Sequence, residues 1–168
     1  EFKMREIAAE NINENIFKLI GKDWMLVAAQ KDGKTNAMTA SWGFAGVMWG
    51  KNCLITAIRP QRYTKEFIDG SDTFSITILP DGYRDTLNYF GSVSGRDEDK
   101  IAKSGLTVEK CENTPYFAEG KLVLICRKMF AQEIKAESFI DKEALEKWYP
   151  NNDLHTLYVA EIVKVLEK

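Results

Sequence analysis

Asn36-Ala-Met-Thr-Ala-Ser-Trp42 leads, through the run Cys53-Leu-Ile-Thr-Ala-Ile58, into Arg59-Pro-Gln-Arg-Tyr-Thr64, and this stretch decides how the chain is read. Residues 53–58 have the β-branched, apolar character of a strand. Pro60 has no N–H to lose in the first turn of a helix and pushes Arg59 into extended backbone, so a short helix is expected over 61–69. The segment before the strand is small and hydroxyl-bearing, which lets backbone N–H and C=O groups approach a neighbour closely.

Working outward, residues 24–30 read as a strand. Asp32-Gly33 is a hairpin-turn signal, and the return strand is expected over 35–41. Residues 73–80 alternate in the manner of a half-buried strand, and 106–109, 121–130 and 155–165 read as three more. Short helices are expected over 83–89, 97–103 and 141–148, with Asp141 as the N-cap of the last and Gly91, Gly95 and Gly105 as punctuation. No internal repeat, low-complexity tract or linker divides the 168 residues, so one domain over 1–168 is expected. The strands lack β-α-β alternation, and no G-x-G-x-x-G follows a strand, which disfavours a dinucleotide-binding parallel sheet. A mainly β fold, a closed antiparallel barrel with short peripheral helices, fits better.

Composition narrows the function classes. A hydrophobic share of 45% and a charged share of 29% are those of a soluble globular protein. A formal net charge of −2 with scattered Lys and Arg argues against nucleic acid and against a membrane-surface patch. No apolar run approaches the ~20 residues needed to span a bilayer, and Glu1-Phe-Lys-Met-Arg-Glu-Ile7 lacks the order of a signal peptide. Cys53, Cys111 and Cys126 form no CxxC, and His155 is the only histidine, so no metal site is expected. Buried reduced thiols in a cytoplasmic protein are the plainer reading.

Three segments can carry chemistry. Arg59, Arg62 and Thr64 set two guanidinium groups and a hydroxyl at the expected helix start, where anions bind. Read alone, the same residues also fit a solvated helix start. Asn36 to Trp42 can serve as a ledge for the edge of a flat polar ring, with Trp42 as its wall; it fits equally a strand end bent by Gly43 and Gly46. Ser94-Gly-Arg-Asp-Glu-Asp-Lys100 crowds three acids into a first turn, so anion contacts there fall to Ser94, Arg96, Lys100 and the Gly95 backbone; a capped surface helix is the bland alternative. With one histidine, no Ser/His/Asp or Cys/His set can be assembled. A chain without catalytic side chains suits a bound cofactor that carries the reaction.

In this order, the three segments resemble the flavin reductase-like, FMN-binding split-barrel family, and most of all its flavoredoxin-type branch. The resemblance implies an antiparallel split β-barrel, homodimeric, with non-covalent FMN near the subunit interface. It implies isoalloxazine and ribityl contacts from Thr39, Ala40, Ser41 and Trp42. It also implies phosphate contacts from Arg59 and Thr64, with Asn36, Arg62 and Tyr63 close by and Ser94, Gly95, Arg96 and Lys100 completing the anion site. Family members pass electrons from NADH, NADPH or a protein donor to free flavin, metal or a redox protein. The histidine-containing run of many two-component reductases is absent, and His155 is the only histidine available near the flavin. A split barrel of this size leaves apolar surface to cover, and Trp49, Phe130, Trp148 and Tyr149 are candidates for that surface or for the pocket.

Overall fold

In the computed structural model, which describes residues 3–168, every strand pairing is antiparallel. The strands are β1 (Arg5–Ile7), β2 (Met25–Lys31), β3 (Lys34–Ala40), β4 (Gly43–Met48), β5 (Lys51–Ile58), β6 (Thr73–Ile78), β7 (Val108–Cys111), β8 (Thr114–Phe117), β9 (Leu122–Glu133) and β10 (Thr156–Glu167). The helices are α1 (Ile16–Lys18), which runs into a π-turn, α2 (Thr64–Asp69), α3 (Arg84–Ser92), α4 (Lys100–Ser104) and α5 (Lys142–Trp148). The main sheet runs β3-β2-β6-β9-β10-β5-β4, with β1 added to the far end of β10; β7 and β8 form a separate hairpin.

This is a split barrel with short peripheral helices. The sheet does not close through hydrogen bonds: its two edges, β3 and β4, are joined only by the chain at Ser41-Trp42. The expected closed barrel is corrected to that extent. The β2–β3 hairpin follows its sequence signal, since Asp32 and Gly33 both have positive φ (50° and 76°), as a type I′ turn requires.

Strand β2 explains why residues 25–29 are apolar without alternation. Met25, Val27 and Ala29 face the barrel interior with Leu54, Phe74, Leu124 and Tyr158. Leu26 and Ala28 face outward, under Leu87 and Phe90 of α3 and Phe117 of β8. Both faces are covered, so every side chain is buried. Helix α2 adds Phe67 and Ile68 to the interior cluster. Among the described residues, no helix is long and apolar enough to cross a membrane.

Three local expectations need correction. Pro60 does not start a helix: Arg62 N donates to Arg59 O at 3.2 Å, so Pro60 occupies the second position of a β-turn, where its fixed φ is equally at home. Helix α2 begins only at Thr64. Helix α4 begins at Lys100, because Asp99 is its N-cap, its carboxylate accepting from Ala102 N at 3.1 Å. Asp97 and Glu98 therefore precede the helix rather than crowd its first turn. Asp141 does cap α5, accepting from Ala144 N. Gly43 and Gly46 lie within a strand, β4, instead of bending a corner.

Candidate functional site

Register brings distant segments to one end of the barrel. Thr156 pairs with Ile58 across β10 and β5, so the residues just beyond them, His155 and Arg59, sit side by side. Strand β3 ends beside them with Thr39, Ala40, Ser41 and Trp42. Together with Met38, Ala57 and Arg62 these line a cavity of about 170 Å³. A second cavity of about 160 Å³ adjoins it, and Arg62 belongs to both walls. Asn36, Tyr63, Thr64, Ser94, Gly95 and Lys100 line this second lobe, with Gln61 and the Gly91–Val93 end of α3.

The second lobe is built around two cations without carboxylate partners. Lys100 is 3% exposed, and its Nζ donates to Phe90 O at 3.1 Å. Arg62 donates to Gly91 O at 3.2 Å and Phe90 O at 3.1 Å. These carbonyls close the C-terminal end of α3, where helix geometry leaves them free and partially negative. Dipoles therefore hold both side chains, yet no Asp or Glu among the described residues forms an ion pair with either. Burial, with the Arg62 charge as a second cause, pulls the Lys100 ammonium down to about 8. Burial also lowers Arg62. An anion entering here would meet two desolvated donors and relieve their repulsion.

The rest of the lobe is fitted closely. Asn36 Nδ2 donates to Thr64 Oγ1 at 2.8 Å, which leaves the buried threonine hydroxyl hydrogen free to donate in turn. A Cβ at Gly95 would fall 2.2 Å from Asn36 Oδ1 and 3.1 Å from Tyr63, so only glycine lets the loop lie against that pair. Ser94 Oγ accepts from Arg96 N at 3.1 Å and holds the loop in its turn.

The first lobe differs in charge. Arg59 is paired with Asp153 at 3.0 Å, donates to Trp148 O at 3.1 Å, and lies over the rings of Tyr149 and Trp42. Trp42 meets Trp148 edge-on, with ring centroids 5.0 Å apart, and lies 5.0 Å from the His155 ring. His155 is buried, chiefly by which its imidazolium is disfavoured, with Arg59 as second cause; its pKa falls to about 4. The Thr39 hydroxyl is committed to Leu87 O at 2.6 Å, so Thr39 offers the cavity its backbone rather than its side chain.

Of the thirteen residues singled out as cofactor contacts, Arg59 lies outside the expected phosphate lobe and Arg96 lines neither lobe. Arg59 lines the first lobe and not the one containing Thr64. Arg96 stacks on Tyr63 with 4.6 Å to the ring centroid, pairs with Glu66 at 3.5 Å and donates to Gln61 O. Sequence reading missed Gln61, which lines the second lobe, and Asp153, which pairs with Arg59. Asp153-Leu-His155 immediately before a strand was the one available signal, an acid and a histidine two positions apart. None of the three cysteines lines either lobe.

The flavin reductase like domain model matches residues 18–168. The chain belongs to that family. It is 29% identical over 119 residues to an uncharacterized protein of Aeropyrum pernix, a match spanning 69% of this chain and 44% of that relative. This chain thus spans under half the length of that curated relative. Among solved structures, it is similar to a flavoredoxin from Methanosarcina acetivorans, at 25% identity and a TM-score of 0.67, covering 87% of this chain and 68% of the other. It is also similar in fold to an FMN-binding domain of a flavin reductases-like enzyme from Shewanella baltica, at 19% identity and a TM-score of 0.69, covering 98% and 77%.

Proposed function

We propose that this member of the flavin reductase-like family binds FMN across the two lobes and passes electrons through it. The observation that carries the reading is the pair of cations, half-buried Arg62 and buried Lys100, which lack any carboxylate partner and share a lobe with Thr64 and the Gly95 backbone. That donor set matches a phosphate monoester: two cations, a hydroxyl and a loop that only glycine lets approach. The neighbouring ledge of Thr39 to Trp42 suits the edge of a flat ring joined to that phosphate.

Bound FMN would supply a ring that accepts a hydride or electrons. The residues of this chain would bind and orient it. Arg62 and Lys100 anchor the tail, Ser41 and Trp42 wall the ring, and Arg59, neutralised by Asp153, keeps Trp42 and Tyr149 in place. NADH or NADPH is the donor in this reading, and free flavin, a metal ion or a redox protein is the acceptor. A second reading, an FMN electron carrier without nicotinamide-dependent activity, is favoured by the likeness to a flavoredoxin at 25% identity.

The test is FMN titration of the purified chain, followed by anaerobic mixing with each nicotinamide. Flavin bleached rapidly by NADH or NADPH supports the reductase; flavin bleached only by a reduced protein donor supports the carrier. Failure to bind FMN at micromolar concentration would remove both.

The edge strand β4 supports a dimer. Phe44, Val47, Met48 and Trp49 are exposed along β4 and the turn after it, and Trp49 leans on exposed Phe130 with centroids 5.9 Å apart. An apolar edge of this kind calls for a cover, and a two-fold copy of itself is the simplest one. Sedimentation velocity should show a dimer, and Trp49→Glu should yield a monomer.

A further inference from the structure

The two ring nitrogens of His155 have different surroundings. Nδ1 lies 2.6 Å from the Tyr149 hydroxyl, and both residues are buried. Nε2 has no hydrogen-bond partner among the described residues, while the side chain lines the lobe that holds Trp42 and Arg59. Two proton placements satisfy the Nδ1 contact. A proton on Nδ1 would make the phenol oxygen the acceptor, and the phenol hydrogen would then need another acceptor. Tyr149 has none among the described residues, and a buried donor without a partner is costly. With the phenol donating, the phenol hydrogen and Nδ1 are both paired, and the imidazole proton sits on Nε2, which faces the lobe. Burial raises the Tyr149 phenol, which keeps that donor proton in place at neutral pH.

The geometry points to Tyr149 as a positioning residue that locks His155 in its neutral Nε2–H form, so that the first lobe offers a fixed N–H donor to a carbonyl oxygen of its ligand. A neutral donor is what the charges around it require. Arg59 from the β5–α2 turn and Arg62 across the cavity are both cationic, and Asp153, the one acid facing the cluster, is already paired with Arg59. A protonated His155 would be a third positive charge beside two others, and it would have no acceptor for Nδ1–H except a phenol oxygen. The inference rests on the first lobe being the ring-binding one, but its test does not use the flavin.

A single histidine makes the test clean, since the nitrogen-15 spectrum of the full chain contains one imidazole. Long-range proton–nitrogen correlation at pH 7, without flavin, should show Nε2 as the protonated nitrogen and Nδ1 as the pyridine-type one, unchanged from pH 8 to pH 5. Tyr149→Phe keeps the ring beside Arg59 and removes only the donor. Its spectrum should average between tautomers, because the donor that fixed Nδ1 as the acceptor is gone. A wild-type spectrum with the proton on Nδ1, or with both nitrogens protonated at pH 7, overturns the inference. So does a Tyr149→Phe spectrum identical to wild type. If that variant does not fold, the wild-type spectrum decides by itself. Absence of FMN binding beside the expected tautomer would sink the flavin reading alone.

Discussion

Arg59 and Arg62 are three residues apart on one turn, yet they end in opposite electrostatic states. Arg59 has a carboxylate at 3.0 Å and two aromatic rings beneath it. Arg62 and its neighbour Lys100 have only backbone carbonyls. A paired cation is already satisfied and acts as a brace. A buried cation held only by dipoles costs stability until an anion arrives. In the proposed FMN complex the two lobes would divide the work, one by shape and aromatic contact and the other by unspent charge.

Substitutions can break this contrast, starting where the effect should be greatest. Arg62→Ala removes a donor common to both lobes, and FMN affinity measured by flavin fluorescence quenching should fall about a hundredfold, as expected for losing two charge-assisted hydrogen bonds. Riboflavin, which lacks the phosphate, should lose much less. Lys100→Met should lower FMN affinity about thirtyfold while raising the melting temperature of the flavin-free chain by about 2–4 °C, since a buried unpaired charge gives way to an apolar side chain of similar length. Opposite signs for binding and stability are the signature of a functional cation. If the melting temperature drops instead, Lys100 is a structural brace and the contrast between the lobes is lost.

A pH series sharpens the same point with a smaller effect. The folded pKa of Lys100 is depressed to about 8, so its ammonium is full below that value and is lost above it. FMN affinity should fall by up to about tenfold from pH 7.5 toward pH 9.5, while riboflavin affinity stays level over that window. Because a bound phosphate favours the charged form, the measured midpoint should sit above that of the free chain. The smallest effect should come from Arg59→Ala, with losses of about three- to fivefold for FMN and riboflavin alike, since the brace under Trp42 goes but the phosphate contacts remain. A large loss specific to FMN would return Arg59 to the phosphate.

Much of this was legible in the sequence because it depends on local rules. The hairpin at Asp32-Gly33 needs two positive φ angles, and Gly is the residue that supplies the second without strain. The β5 and β9 strands announced themselves by apolar, β-branched composition. Pro60 was legible as a break but not as a type of break, since fixed φ suits a turn and a helix start equally, and the hydrogen bond that chooses between them depends on where Arg62 points. The same limit hid the start of α4, where Asp99, and not the acids before it, turned out to be the cap.

Sequence alone determined which residue types could serve: two arginines and a threonine around one turn, a glycine loop before a lysine, a tryptophan after a ledge of small residues. Tertiary structure alone decided their states. Asp153 reaches Arg59 from 94 positions away because β10 pairs with β5 in one register, and nothing comparable reaches Arg62 or Lys100. Charge pairing is a property of distance in space, and in an antiparallel barrel that distance is set by strand register, which no local pattern encodes.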